Sequence, residues 1–169
     1  MQFSELLTGL HLARIEYVLV GGLAVFLNGV SRVTLDIDIV LAMDDANLTR
    51  FIDFAKRLNL RPRIPVAIES LKSVDQIDTW FKEKGMIAFS LVGRTIDDLS
   101  IDVLVRPVVP YDELKTTART VKFSGGEVVV ASPENLIRMK RGTGRGVDAR
   151  DVELLNELIS RRNKVNSDA

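Results

Sequence analysis

Three aspartates stand where carboxylates are costly. Asp36 and Asp38 interrupt the apolar run Leu35, Ile37, Ile39, Val40, Leu41, and Asp102 sits inside Leu99-Ser100-Ile101-Asp102-Val103-Leu104-Val105 with no lysine nearby in sequence. Alternate residues of a strand share a face, so Asp36 and Asp38 point one way while Leu35, Ile37 and Ile39 point the other. Two carboxylates that close do not stay ionised side by side without compensation. A hard divalent cation, Mg²⁺ or Mn²⁺, is the usual compensation because its preferred ligands are oxygens. Two such metals about 3.5–4 Å apart can hold the attacking and leaving oxygens of an in-line phosphoryl displacement. That chemistry wants two carboxylates from one strand and a third from a neighbouring strand. The plainer alternative is a solvated Asp-x-Asp on a wet strand face, with Asp102 as an edge-strand acid.

A nucleotide would also need a cradle for its phosphates. Gly21 and Gly22 follow the short strand pattern Tyr17–Val20 and precede a short helix over Leu23–Leu27 that Asn28-Gly29 closes. Glycines there let backbone amides approach a ligand, and a helix start favours phosphate; a simple tight turn is the alternative. Arg32 precedes the Asp strand and either pairs with Asp36 or Asp38 or reaches a phosphate; a structural salt bridge is an equal alternative. The glycine pair, the Asp pair and the later Asp, in that order, weigh more than any one of them.

The elements that must position these residues are readable in outline. Phe3, Leu6, Leu7, Leu10 and Ala13 predict a helix up to about Arg14, and Thr34–Ala42 a second strand. Asp44-Asp45 opens a helix to about Leu58; Arg61–Val66, with its two prolines, reads as a short edge strand. Ile77, Trp80 and Phe81 predict helical turns before Gly85. Met86–Val92 and Leu99–Val105 read as strands joined by a hairpin over Gly93–Asp98. Tyr111–Thr117 is helical and Glu127–Ala131 a short strand. Ser132-Pro133-Glu134 is a helix start, with Ser at the N-cap and Pro at the first helical position. That helix ends in Gly142-Thr143-Gly144-Arg145-Gly146, which lacks the Gly-Lys-Ser/Thr of a phosphate loop and reads as an interhelix turn. A last helix spans Asp148–Arg162, and the tail 163–169 is expected to be disordered. The expectation is one α+β domain over residues 1–162: a small mixed β-sheet with helices packed against it.

Composition narrows the chemistry. The 169 residues, 46% apolar and 27% charged, suit one domain with its own core. Twenty-three basic and 23 acidic residues cancel, so global charge does not call for nucleic acid. The chain has no cysteine, which removes thiolate metal sites and cysteine nucleophiles, and its single histidine, His11, has no serine motif to form a triad with. No apolar run is long enough to cross a membrane and the N-terminus lacks a signal-peptide pattern, so a cytoplasmic location is expected. Trp80 and Phe81 are expected in the core rather than stacked on a base, and Arg57, Arg61 and Arg63 on a solvated face rather than as a basic edge for a polyanionic acceptor such as tRNA.

Taken in order, Val20-Gly21-Gly22, then Asp36-Ile37-Asp38-Ile39, then Asp102 resembles the nucleotidyltransferase superfamily typified by DNA polymerase β. The segments Gly29–Thr34 and Leu136–Lys140, followed by Gly144-Arg145, Asp148 and Asp151, resemble its small prokaryotic members, the minimal nucleotidyltransferases and the AbiEii-type toxin components. The resemblance implies that Asp36, Asp38 and Asp102 bind the metals and that Gly21 and Gly22 line the triphosphate. It also implies that Asp102 helps activate the acceptor hydroxyl and that Lys140 stabilises charge near the phosphates. Asp148 and Asp151, neighbours on one helix face, would orient Lys140 or Arg145. The superfamily often has Gly-Ser where this chain has Gly21-Gly22, and often a lysine where it has Val147.

The function implied is metal-dependent transfer of a nucleoside monophosphate from an NTP to an acceptor, which could be a small molecule, a protein or tRNA, with a toxin–antitoxin role among the options. A domain this small leaves a homodimer or a partner protein as ways of completing the site. Two other classes stay open: a non-catalytic member of the fold that binds a nucleotide or a protein, and an Asp-x-Asp metal-dependent glycosyltransferase. The second explains neither Gly21-Gly22 nor Asp102.

Overall fold

The computed structural model describes residues 3–93 and 100–167. Its first half runs α1 (Phe3–Leu12), β1 (Tyr17–Val20), α2 (Gly21–Leu27), β2 (Asp36–Leu41), α3 (Asp45–Arg57), β3 (Arg61–Pro62), a 3-10 helix (Ile68–Lys72) and α4 (Val74–Lys84). Its second half runs β4 (Ala88–Val92), β5 (Ser100–Leu104), α5 (Tyr111–Thr117), β6 (Arg119–Phe123), β7 (Gly126–Val130), α6 (Pro133–Lys140) and α7 (Gly146–Ser167). The strands form one mixed sheet in the order β3-β4-β5-β2-β1-β7-β6. β1 runs antiparallel to β2, and the two central contacts β2–β5 and β1–β7 are parallel. The fold is α+β, as expected.

Local chemistry explains the boundaries. Asp44 caps α3 by accepting from the Asn47 N–H at 2.9 Å, and Ser132 caps α6 by accepting from the Asn135 N–H at 3.3 Å ahead of Pro133. Gly85 ends α4 in the left-handed conformation, φ 61°. Asn47, fully buried, ties β1, β2 and α3 together. Its Oδ1 accepts from the Glu16 N–H at 2.7 Å, and its Nδ2 donates to the carbonyls of Glu16 and Ala42 at 2.7 and 2.9 Å. Ile37, Ile39, Ile101 and Val103 are fully buried, so β2 and β5 each give one face to the core and leave the other for the carboxylates.

Several boundaries differ from the pattern read above. β2 begins at Asp36, and Leu35, ahead of the first ladder pair, is 74% exposed rather than on the core face. β3 keeps only Arg61–Pro62 of the expected Arg61–Val66, because Pro62 and Pro65 cannot donate to a ladder. α7 runs on to Ser167, through part of the expected tail, with Lys164 in its last turn facing the negative end of the helix dipole. The unforeseen β6 pairs with β7 through a tight turn at Ser124-Gly125, Phe123 lying opposite Gly126. The expected hairpin over Gly93–Asp98 lies, apart from Gly93, outside the described residues, as does Leu99. Trp80 is buried and stacks on Phe89 with centroids 5.9 Å apart, whereas Phe81, also expected in the core, is exposed on the outer side of α4. Arg57, Arg61 and Arg63 are exposed. Among the described residues no helix is long and apolar enough to cross a membrane.

Candidate functional site

The sheet register assembles the three acids. In the parallel β2–β5 pair, Asp38 lies opposite Asp102 and Asp36 opposite Ser100. In the antiparallel β1–β2 pair, Asp38 lies opposite Val20, the last residue before the glycines. Asp38 is therefore flanked on one side by a second carboxylate and on the other by the strand-to-helix turn. Gly21 makes that turn with φ 64°, and a Cβ placed on it would stand 1.9 Å from Asp38 Oδ2. The Gly22 N–H bonds to the Asp38 carboxylate. A Cβ on Gly22 would meet Arg32 Nε and Thr34 Oγ1, each at 2.8 Å. Both glycines are thus required by close approach, and Gly21 also by its backbone conformation.

Burial, then the charges of Asp102 and Asp36, push the Asp38 carboxyl from its ordinary 3.8 up to about 6; the Gly22 N–H and the Lys140 ammonium work against the rise. Asp102 Oδ1 is buried with no hydrogen-bond partner. Asp36 is more exposed and accepts from the Ser100 hydroxyl. As the side chains stand, no three acidic or histidine groups among the described residues close on one point. Asp38 and Asp102 are nonetheless a crowded, under-compensated pair of hard oxygen donors with an orphaned oxygen. A divalent cation is the chemistry that such a donor set suits.

A second cluster closes against the first. Lys140, 7% exposed at the end of α6, donates to Asp148 Oδ1 at 2.7 Å and lies 2.8 Å from Asp151 Oδ2. Asp148 also accepts from Thr143 at 2.8 Å and Arg145 at 2.6 Å; Asp151 also accepts from Arg32. Burial works to raise the Asp148 carboxyl, but hydrogen bonds from Lys140, Thr143 and Arg145, with the Lys140 charge, outweigh it and hold it below its ordinary value. The Gly142–Gly146 segment is an interhelix turn, with Gly142 and Gly144 at positive φ, and its Thr143 hydroxyl is what engages the network. The chain of contacts Gly22–Arg32–Asp151–Lys140 joins the glycine turn to the last two helices.

Arg32 forms a structural salt bridge. It engages Asp151 of α7, not Asp36 or Asp38, because the extended segment before β2 turns Arg32 and Thr34 toward Gly22, where α7 passes. Thr34, Ser100 and Thr143 were not singled out from sequence. Thr34 has a readable signal, since it alternates with Asp36 and Asp38; the other two depend on tertiary register. Val147 is 51% exposed at the start of α7 and takes no part in the network.

Replacing Gly21 with Ala should move the Asp38 carboxylate and strain the turn. The expected loss is about 3 kcal/mol or more, as left-handed strain and an overpacked contact each cost ~1–3 kcal/mol. Urea denaturation measures it; a loss under about 1 kcal/mol would contradict the described approach of Gly21 to Asp38.

No family model matches the chain, and no curated protein matches it. Solved structures do resemble it in fold. An antigenic nucleotidyltransferase-like protein from Paracoccidioides brasiliensis superposes with TM-score 0.57 at 24% identity, covering 92% of this chain and 73% of that one. The lincosamide antibiotic adenylyltransferase LnuA, solved with lincomycin bound, superposes with TM-score 0.55 at 14% identity, covering 88% and 90%. Spanning nearly the whole chain, these likenesses give this protein the nucleotidyltransferase-like fold.

Proposed function

We propose that this chain is a metal-dependent nucleotidyltransferase. The observation that carries the reading is Asp38, crowded by Asp102 across β2–β5 and approached from the other side by the Gly21-Gly22 turn. Asp38 and Asp102 would hold Mg²⁺ or Mn²⁺, joined by Asp36 once it leaves Ser100. The bound metal would offset phosphate charge and orient the reacting oxygens. Gly21 and Gly22 line the triphosphate. Lys140, held by Asp148 and Asp151, supplies positive charge toward Asp38 and the phosphates, and Arg32 fixes Asp151.

In the transfer, the acceptor oxygen or nitrogen bonds to the α-phosphorus of the NTP. The bond from that phosphorus to the bridging oxygen breaks, and pyrophosphate leaves with the electron pair. The acceptor proton passes to Asp102, whose Oδ1 has no other partner. The acceptor is a small molecule, a protein or tRNA. Labelled NTP incubated with the chain and candidate acceptors tests the reading: label transferred with pyrophosphate released supports it, and transfer that persists in Asp38→Asn/Asp102→Asn sinks it. A toxin component adds one expectation, growth arrest on induced expression that the same double substitution relieves; wild-type expression without arrest removes the toxin role alone.

A further inference from the structure

We infer a second ligand groove beside the carboxylate site, shaped for a small molecule with an apolar body and an anionic group. The groove, about 430 Å³, lies between the segment after α2 and one face of α7. Its position is set by two clamps. At one end Arg32 grips Asp151. At the other Arg162 donates to the Asn28 carbonyl at 3.1 Å. Asn28 is immobilised in turn: its Nδ2 donates to the carbonyls of Ala24 and Ala131 at 2.9 and 3.0 Å, and its Oδ1 accepts from Arg119 at 3.2 Å. Between the clamps α7 stands away from the loop, which leaves the gap.

The lining names the ligand chemistry. Val30, Leu154 and Leu158 give an apolar floor, Ser31 a hydroxyl, and Glu157 an exposed acid that Arg161 pairs. Arg150 and Arg161 stand toward its two ends. Each is engaged only in an exposed ion pair on its own helix, Arg150 with Glu153 at 3.1 Å and Arg161 with Glu157 at 3.5 Å. Such pairs are weak and exchange readily for an incoming anion. The volume falls in the range of small-molecule sites. The Arg32–Asp151 clamp is at once the groove's near end and part of the Lys140 network, which makes the groove's occupant the natural acceptor. That role rests on the nucleotidyl-transfer reading; the groove and its ligand class do not.

The test titrates the ¹⁵N-labelled full chain with 1-naphthoate and with neutral 1-naphthalenemethanol, which share the ring system and differ in charge. Expected are shifts centred on Gly29, Val30, Ser31 and the 154–158 turn, with naphthoate bound roughly threefold tighter or more. Leu154→Trp, which fills the floor, should abolish binding of both. Arg150→Glu/Arg161→Glu, confined to exposed side chains, should erase the preference for the anion even if Leu154→Trp fails to fold. Shifts centred elsewhere, no shifts, or an unchanged preference in the double variant overturn the inference. Nucleotide titration of the same sample separates the two readings: naphthoate binding without nucleotide binding removes the acceptor role and leaves the groove.

Discussion

Asp38→Asn should make the protein more stable and inactive at once. In the wild type the folded state holds the Asp38 proton more tightly than the unfolded chain does, with a carboxyl near 6 against an ordinary 3.8. The sign follows from linkage: the acid costs nothing below about pH 4, where both states are protonated. Stability then falls as pH rises toward about 6, and the cost is complete above that. At about 1.4 kcal/mol per unit the full cost is on the order of 2–3 kcal/mol. Asn removes the charge and keeps an oxygen for the Gly22 N–H. The variant should therefore gain roughly that much at pH 7.5, and the gain should vanish by pH 4; urea denaturation across that range measures both. Saturating Mg²⁺ should restore part of the wild-type deficit and leave the variant unmoved. A variant less stable than wild type at pH 7.5 would contradict the crowding of Asp38 by Asp102. Transfer should fall by at least about a hundredfold, as expected for lost electrostatic stabilisation of the transition state.

Lys140 should behave in the opposite way. Removing one partner of a buried ion pair leaves the other uncompensated and costs ~3–5 kcal/mol. Lys140→Met should fall at the low end, about 3 kcal/mol, because Arg32 stays on Asp151, and Arg145 and Thr143 stay on Asp148. Adding Asp148→Asn should return much of that stability without returning transfer. Recovery of both would make Lys140 purely structural, and a Lys140→Met protein as stable as wild type would deny the network. These two substitutions separate the site's halves: one carboxylate strained by its surroundings, one ammonium held by them.

What was legible in the sequence was local. Strand alternation placed Asp36 and Asp38 on one face, and Ser132-Pro133 and Asp44 marked helix starts with the chemistry that the structure then shows. The partner of Arg32 was not legible. Asp151 is 119 residues away, and only the packing of α7 beside the segment before β2 brings it near. The pairing of Asp38 with Asp102 is a matter of parallel register between strands distant in sequence, which periodicity does not encode; the apolar surroundings of Asp102 singled it out, and the resemblance assigned it to the metals. Leu35 continued the alternation and is exposed nonetheless, because periodicity cannot tell where a ladder begins. β6 had a signal, Val121 and Phe123 alternating with polar residues ahead of Ser-Gly-Gly, but its exposed edge position gave it little apolar weight. Lys140 reads as surface by residue type, and only the two facing carboxylates explain its burial.

Asp38 and Asp102, joined by Asp36, are proposed to hold a metal against a nucleotide. Calorimetric titration with ATP, GTP, CTP and UTP, with and without Mg²⁺, on wild type and on Asp36→Asn/Asp38→Asn tests the proposal most directly. Mg²⁺-dependent binding of at least one NTP by the wild type, and none by a folded double variant, is the expected result. Equal binding by both proteins, or no binding of any NTP by the wild type in Mg²⁺, would contradict the proposal.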